Sequence, residues 1–289
     1  MTRRDILTAV PVAFAADGSL DLEGSREILR YVAASGNEGA FVLGTTGEFA
    51  ALSFEERGQL TALSLEELSP HMRVVVHVGA PSAYEVVRLI AQARDAGAKE
   101  VAILTPYYLA SSDAALLEFF ETTTAAADGL DVYIYVFHAR TGNAVSPELL
   151  AKLSRLPHVV GAKISGEPLS LVAAYREVVP SDFILYTGAD AELANAAGSG
   201  AQGVVSGISS VLPKPFRALA AAADAGDADA LAAAQADVDA AVAAIAGDMG
   251  RMKAAYRVLG IAGGTTRMAI EQPDEAALVD IERAVKAYA

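Results

Sequence analysis

The stretch PHVVGAKISGEP, residues 157–168, decides how this chain is read. Val159 and Val160 open an apolar run, Gly161 and Ala162 are small, and Ile164 closes it. Pro157 bounds the run on one side, and Gly166 and Pro168 on the other. A short β-branched run between such breakers reads as a buried strand. The next residues, Leu169–Val179, have amphipathic helical spacing, and FILYTGA (183–189) is a second apolar run. Strand, helix, strand is the unit of a parallel sheet. Lys163 stands inside the first of these strands, and its ammonium is out of place there.

The same unit recurs outward in both directions. The apolar runs are ILTAVPVAF (6–14), GAFVLG (39–44), RVVVHVGA (73–80), EVAILTP (100–106), DVYIYVFH (131–138), VVGAKIS (159–165), FILYTGA (183–189) and GVVSGI (203–208). Between them lie amphipathic stretches at Leu22–Ser35, Ser53–Leu68, Ala83–Ala96, Ser112–Ala127, Pro147–Leu156, Leu169–Val179 and Glu192–Gly198. Several open on helix-start residues, such as SFEE at 53–56 and SPELL at 146–150. Strand then helix, eight times over, predicts an α/β fold of the (β/α)8 TIM-barrel type. An open doubly wound sheet would suit a G-x-G-x-x-G turn after the first strand, and FAADGS (14–19) is not one.

From Pro213 the chain is Ala-rich with scattered Asp. Alanine has the best helix propensity, so this region reads as helices. Further helices are expected over 252–260 and 275–287. The expected organisation is a barrel over residues 1–212 and a C-terminal helical extension, 213–289, packed on its outside.

Composition narrows the function. The chain has 289 residues, 53% of them hydrophobic, so a large core is available. It has no Cys, which rules out disulfides and thiolate metal sites and fits a reducing compartment; the cytoplasm is the expected location. A formal net charge of −14 argues against a nucleic-acid or anionic-membrane partner. The N-terminus, MTRRDILTAVPVAFAADGS, resembles a secretion signal, but Asp5, Pro11 and its alternation read instead as a strand ending in a DGS turn. No stretch reaches the roughly 20 apolar residues of a membrane span.

In such a barrel the active site lies at the C-terminal ends of the strands. The polar groups expected there are GTTGE (44–48), TPYY (105–108), Tyr133 and Tyr135 running into HARTG (138–142), Lys163, TGAD (187–190) and SGISS (206–210). Each has two readings. Lys163 is either a strand-end lysine whose head reaches water or a desolvated amine that attacks a carbonyl. GTTGE is either an ordinary turn before the helix near Ser53 or a nest of N–H and hydroxyl groups for a carboxylate. Tyr135 shares a strand face with Tyr133 and Phe137, so it is core packing or a proton relay. Arg140 is a solvated charge or a bidentate carboxylate clamp. The four histidines lack metal-ligand spacing, GIAGGTT (260–266) lacks a phosphate-loop Lys and reads as a helix C-cap, and no G-x-S-x-G elbow occurs.

In this order, GTTGE, TPYY, YVFHARTG and VVGAKISG resemble the dihydrodipicolinate synthase / N-acetylneuraminate lyase family, and the likeness covers nearly the whole chain. The resemblance implies a (β/α)8 barrel with added C-terminal helices, assembled as a tetramer from two dimers. It implies class I lyase or aldolase chemistry, in which a lysine forms a Schiff base with pyruvate and no other cofactor or metal is used. The partners it implies are pyruvate and a small aldehyde or a 2-keto acid. Lys163 would be the nucleophile and Tyr135 the proton relay. Thr45 and Thr46 would hold the pyruvate carboxylate, and Thr45 would link Tyr135 to Tyr108, contributed in many members across a subunit interface. Gly47 and Val205 would line the substrate site, and Arg140 would meet the carboxylate of the second substrate.

Three departures fall at the acceptor end. Val136 and His138 stand where synthases carry Asn and Pro, KISG is one residue short, and VVSGISS lacks a terminal Asn. Three functions therefore remain in view: condensation of pyruvate with aspartate semialdehyde, cleavage of another 2-keto acid such as a keto-deoxy sugar acid or sialic acid, and ligand-responsive regulation without turnover.

Overall fold

Every one of the eight apolar runs forms a strand in the computed structural model, which describes residues 4–289. Met1, Thr2 and Arg3, the start of the signal-like stretch, lie outside the described residues. The strands are β1 (Asp5–Ala9), β2 (Gly39–Val42), β3 (Arg73–His77), β4 (Glu100–Leu104), β5 (Asp131–Val136), β6 (Val159–Ile164), β7 (Ile184–Thr187) and β8 (Gly203–Ser206). Each pairs in parallel with its sequence neighbour, and β8 pairs with β1, so the sheet closes into a barrel. The helices between strands are α1 (Leu22–Ala33), α2 (Phe54–Leu68), α3 (Ala83–Asp95), α4 (Asp113–Ala125), α5 (His138–Thr141), α6 (Pro147–Leu153), α7 (Leu169–Val178) and α8 (Leu193–Ala196). After β8 come α9 (Pro213–Ala225), α10 (Ala228–Ile245), α11 (Met249–Val258) and α12 (Glu275–Tyr288). The protein is a (β/α)8 TIM barrel with additional C-terminal helices.

Local chemistry sets the ends of these elements. Ser53 opens α2 with a reciprocal capping box to Glu56, and Ser82, Ser112 and Ser146 cap α3, α4 and α6. The strands are shorter than their apolar runs, and two of the ends have a plain local cause. The first stops at Ala9, because Pro11 has no N–H to continue the ladder. The fifth stops at Val136, and His138 opens the single turn of α5, closed by Gly142 at φ 74°. In the other direction α11 begins at Met249, three residues before the expected start, because the Asp248 side chain caps it.

Strand alternation sorts the side chains into two layers. Ile6, Val42, Val76, Ile103, Ile134, Ala162, Ile164 and Val204 face outward and meet the helices. Leu7, Phe41, Val75, Leu104, Tyr133, Tyr135, Tyr186 and Val205 face inward and fill the barrel. Lys163 is in register with Tyr135 on one side and Tyr186 on the other. Gly161, two residues before it, makes room for Tyr133: a Cβ there would lie 2.7 Å from that ring and 2.5 Å from the Ile184 carbonyl. The N-terminal end of the barrel is plugged by Arg73, which bonds Glu100 (2.5 Å), the Tyr133 hydroxyl (2.8 Å) and the Tyr186 hydroxyl (3.1 Å).

Candidate active site

At the C-terminal end of the strands a cavity of about 210 Å³ opens. Lys163, Tyr135, Thr45, Thr46, Arg140 and Val205 all border it, so one space gathers six of the eight residues picked from the sequence. Gly47 lies behind the two threonines, where a Cβ would come within 3.2 Å of Leu43 Cα and of the Val10 carbonyl. Tyr108 is elsewhere. It sits on the loop after β4 at φ 81°, and 93% of its surface is exposed.

Lys163 is the centre of the cavity. Its side chain is inward and only 5% exposed. The nitrogen stands 4.0 Å over the Phe41 ring and 4.3 Å over the Tyr135 ring. Loss of water holds its pKa below the ordinary lysine value; Tyr135 and Asp190 oppose that shift without reversing it. The amine is thus easier to deprotonate than a surface lysine's while two ring faces still steady the cation.

The Tyr135 hydroxyl lies 3.3 Å from Thr45 Oγ1. Thr45 and Thr46 belong to the turn between β2 and α2. Within it Gly47 N–H donates to the Gly44 carbonyl at 3.1 Å, and Glu48 N–H to that of Thr45 at 3.0 Å. Those two N–H groups serve the turn itself, and Thr45 and Thr46 are the turn residues that border the cavity. Arg140, on α5, is an exposed residue at the rim with its guanidinium 5.9 Å from the Phe137 ring centroid. His138 points away, exposed and 3.9 Å from Glu167, and does not border the cavity.

The structure adds residues that the sequence did not single out. Asp190, after β7, borders the cavity with Oδ1 buried and without a hydrogen-bond partner. Burial raises its carboxyl to about 6, against the pull of Ser206 and Lys163. Its signal was present, an acid in TGAD at a strand end, but its orientation was not. Ser165 lines the same wall, and Gly247, Met249 and Met252 form another. These last three belong to the C-terminal extension, whose α10–α11 junction reaches the barrel mouth. Among the described residues no cluster of three or more His, Asp or Glu side chains is arranged to hold a metal ion.

Such a cavity can hold a small carbonyl compound against an amine, with a phenol and two hydroxyls around it. Known proteins with this chain's pattern point the same way. The Dihydrodipicolinate synthetase family matches residues 2–288. A 4-hydroxy-tetrahydrodipicolinate synthase from Alkaliphilus oremlandii is 31% identical over 206 residues, 71% of each chain. An uncharacterised DapA-like lyase from Halobacterium salinarum is 32% identical over 278 residues, covering 94% of this chain and 91% of that one. The crystal structure of dihydrodipicolinate synthase from Thermotoga maritima superposes with a TM-score of 0.90 at 27% identity, over 99% of both chains. With the family matched from end to end and the barrel reproduced, this chain belongs to the dihydrodipicolinate synthetase family.

Proposed function

We propose that this protein is a class I pyruvate-dependent lyase or aldolase, with Lys163 as the Schiff-base nucleophile. One observation carries the reading: a lysine buried on the inner face of a barrel strand, its nitrogen over the Tyr135 ring, with Thr45 on the Tyr135 hydroxyl. The neutral amine attacks C2 of pyruvate, and the carbinolamine loses water to give an iminium. That cation accepts the electron pair released when a proton leaves the pyruvate methyl, and the resulting enamine attacks an aldehyde. Tyr135 and Thr45 move the protons. Thr46, with Gly47 behind it, faces the pyruvate carboxylate, and Val205 packs beside it. No other cofactor or metal is required.

The preferred acceptor is aspartate semialdehyde, with Arg140 at the rim to meet its carboxylate. A 4-hydroxy-tetrahydrodipicolinate synthase-like condensation is therefore the first reading. One observation favours a second. Asp190 and Ser165 line the acceptor end, and a buried carboxylate oxygen without a partner suits a hydroxyl donor. That supports a hydroxylated 2-keto acid, of the keto-deoxy sugar acid or sialic acid kind, cleaved to pyruvate.

Tyr108 completes the relay from a second copy of the chain. Its exposure together with Leu109 (72%) and Tyr84 (75%) supports an oligomer, proposed as a tetramer of two dimers in the cytoplasm. The experiment that tests the chemistry is reduction with borohydride in the presence of pyruvate. A single adduct on Lys163, lost in Lys163→Ala, is expected; folded protein without an adduct would refute it. Lactate dehydrogenase coupled to a panel of keto acids then separates the two acceptor readings.

A further inference from the structure

The turn that carries Thr45 and Thr46 is strained at both ends. Leu43 has φ 59° and Glu48 φ 50°, left-handed values that residues other than glycine rarely adopt. Such conformations persist where the surroundings over-determine them. Here each end is gripped by a fully buried group from elsewhere in the fold.

His77 holds the first end. It is the last residue of β3, faces into the barrel and is completely buried. Its Nδ1–H donates to the Leu43 carbonyl at 2.8 Å. The ring also stands edge-on to Tyr135, with centroids 5.8 Å apart, and so touches both the turn and the phenol the turn must meet. The end of β3 is itself anchored, because Arg57 donates to the carbonyls of His77 (2.7 Å) and Gly79 (2.9 Å).

The C-terminal helices hold the second end. Lys253 of α11 reaches Glu48 at 2.5 Å, and both side chains are 0% exposed. The other Glu48 oxygen accepts from the backbone N–H groups of Arg267 (2.8 Å) and Met268 (2.7 Å), while Lys253 also donates to the Thr265 carbonyl (2.6 Å). A buried ion pair is weak evidence for stability, since apolar residues fill the same space as well. Direction is what it adds: charge-assisted bonds fix the carboxylate, and with it the end of the turn.

We propose that His77 and the Glu48–Lys253 pair are positioning residues for Thr45. They hold the strained turn so that Thr45 Oγ1 meets the Tyr135 hydroxyl, and through Lys253 the C-terminal helices take part in proton transfer. The proposal rests on the reading of Lys163, Tyr135 and Thr45 as the reaction site.

The test separates the two. The full-length protein is first given pyruvate and borohydride. If the unaltered protein forms no adduct on Lys163, the reaction-site reading falls and the proposal falls with it. If it forms one, exchange of the pyruvate methyl protons with D₂O is followed by NMR against pyruvate concentration in three folded variants. They are His77→Leu, His77→Asn and the double variant Glu48→Gln/Lys253→Met. A relay displaced by about 1 Å loses on the order of 10²-fold in rate. His77→Leu and the double variant should still form the adduct, with KM for pyruvate within a few-fold and kcat for exchange reduced on that scale. His77→Asn keeps a donor near the Nδ1 position and should recover most of the rate. The proposal is overturned if His77→Leu or the double variant exchanges at close to the unaltered rate, or if Asn does no better than Leu. Should His77→Leu not fold, the double variant decides the matter alone.

Discussion

Asp190→Asn should make the protein more stable at neutral pH, and the gain should vanish in acid. The Asp190 carboxyl titrates at about 6 in the folded protein against an ordinary value of 3.8, and burial is the main cause. Between those values the native state holds a proton that the unfolded chain has released. Stability therefore falls as pH rises through this window, and above it the full penalty for burying the anion is in force. The difference converts to about 3 kcal/mol, an upper figure because Asp190 is only partly buried as a residue and lies near Lys163. Asn keeps the shape without the charge. Urea unfolding of both proteins between pH 3.5 and 8 measures the effect. The variant should gain up to about 3 kcal/mol above pH 6 and match the parent near pH 4 and below. A difference independent of pH would refute the argument, as would a variant less stable at pH 8 than at pH 4 relative to the parent. The same substitution removes a charge that favours the Lys163 ammonium. Pyruvate adduct formation should therefore reach its half-maximum at a lower pH.

Arg140→Ala should raise KM for an acceptor that carries a carboxylate and leave the Lys163–pyruvate adduct untouched; steady-state kinetics with borohydride trapping checks both. Gly161→Ala puts a Cβ against the Tyr133 ring and the Ile184 carbonyl. Overpacking of this kind costs about 1–3 kcal/mol, to be read from thermal or urea unfolding. Leu109→Arg places a charge on the exposed apolar loop beside Tyr108. Sedimentation velocity should show a smaller assembly, and methyl exchange should fall with it, if Tyr108 acts across an interface.

Much of the fold was legible because periodicity reports burial directly. A strand enclosed on both faces must be apolar at every position, and eight such runs separated by helical spacing leave few topologies. The inaccuracies fall where local backbone chemistry overrides pattern. Pro11 ends β1 before its apolar run does, and α5 begins inside a stretch that reads as strand. The site was legible where residues sit on strand faces. Lys163 and Tyr135 have the parity that points them inward, and adjacent strands bring them side by side. Asp190 was visible in TGAD but follows its strand on a loop, whose orientation no alternation predicts.

The sequence by itself determined the barrel and the inward lysine, because these follow from spacing within and between single strands, and the short motifs at the strand ends carried the family resemblance. Only the tertiary structure decided what the cavity is made of beyond them. Lys253 lies 205 residues from Glu48, yet the two form one buried pair. Met249 and Met252 come from α11, a helix outside the barrel, to wall its mouth. His77 reads as one more residue in an apolar run until its Nδ1 meets the Leu43 carbonyl. Such contacts join residues with no fixed separation along the chain, so they exist only once the strands have closed and the last helices have docked.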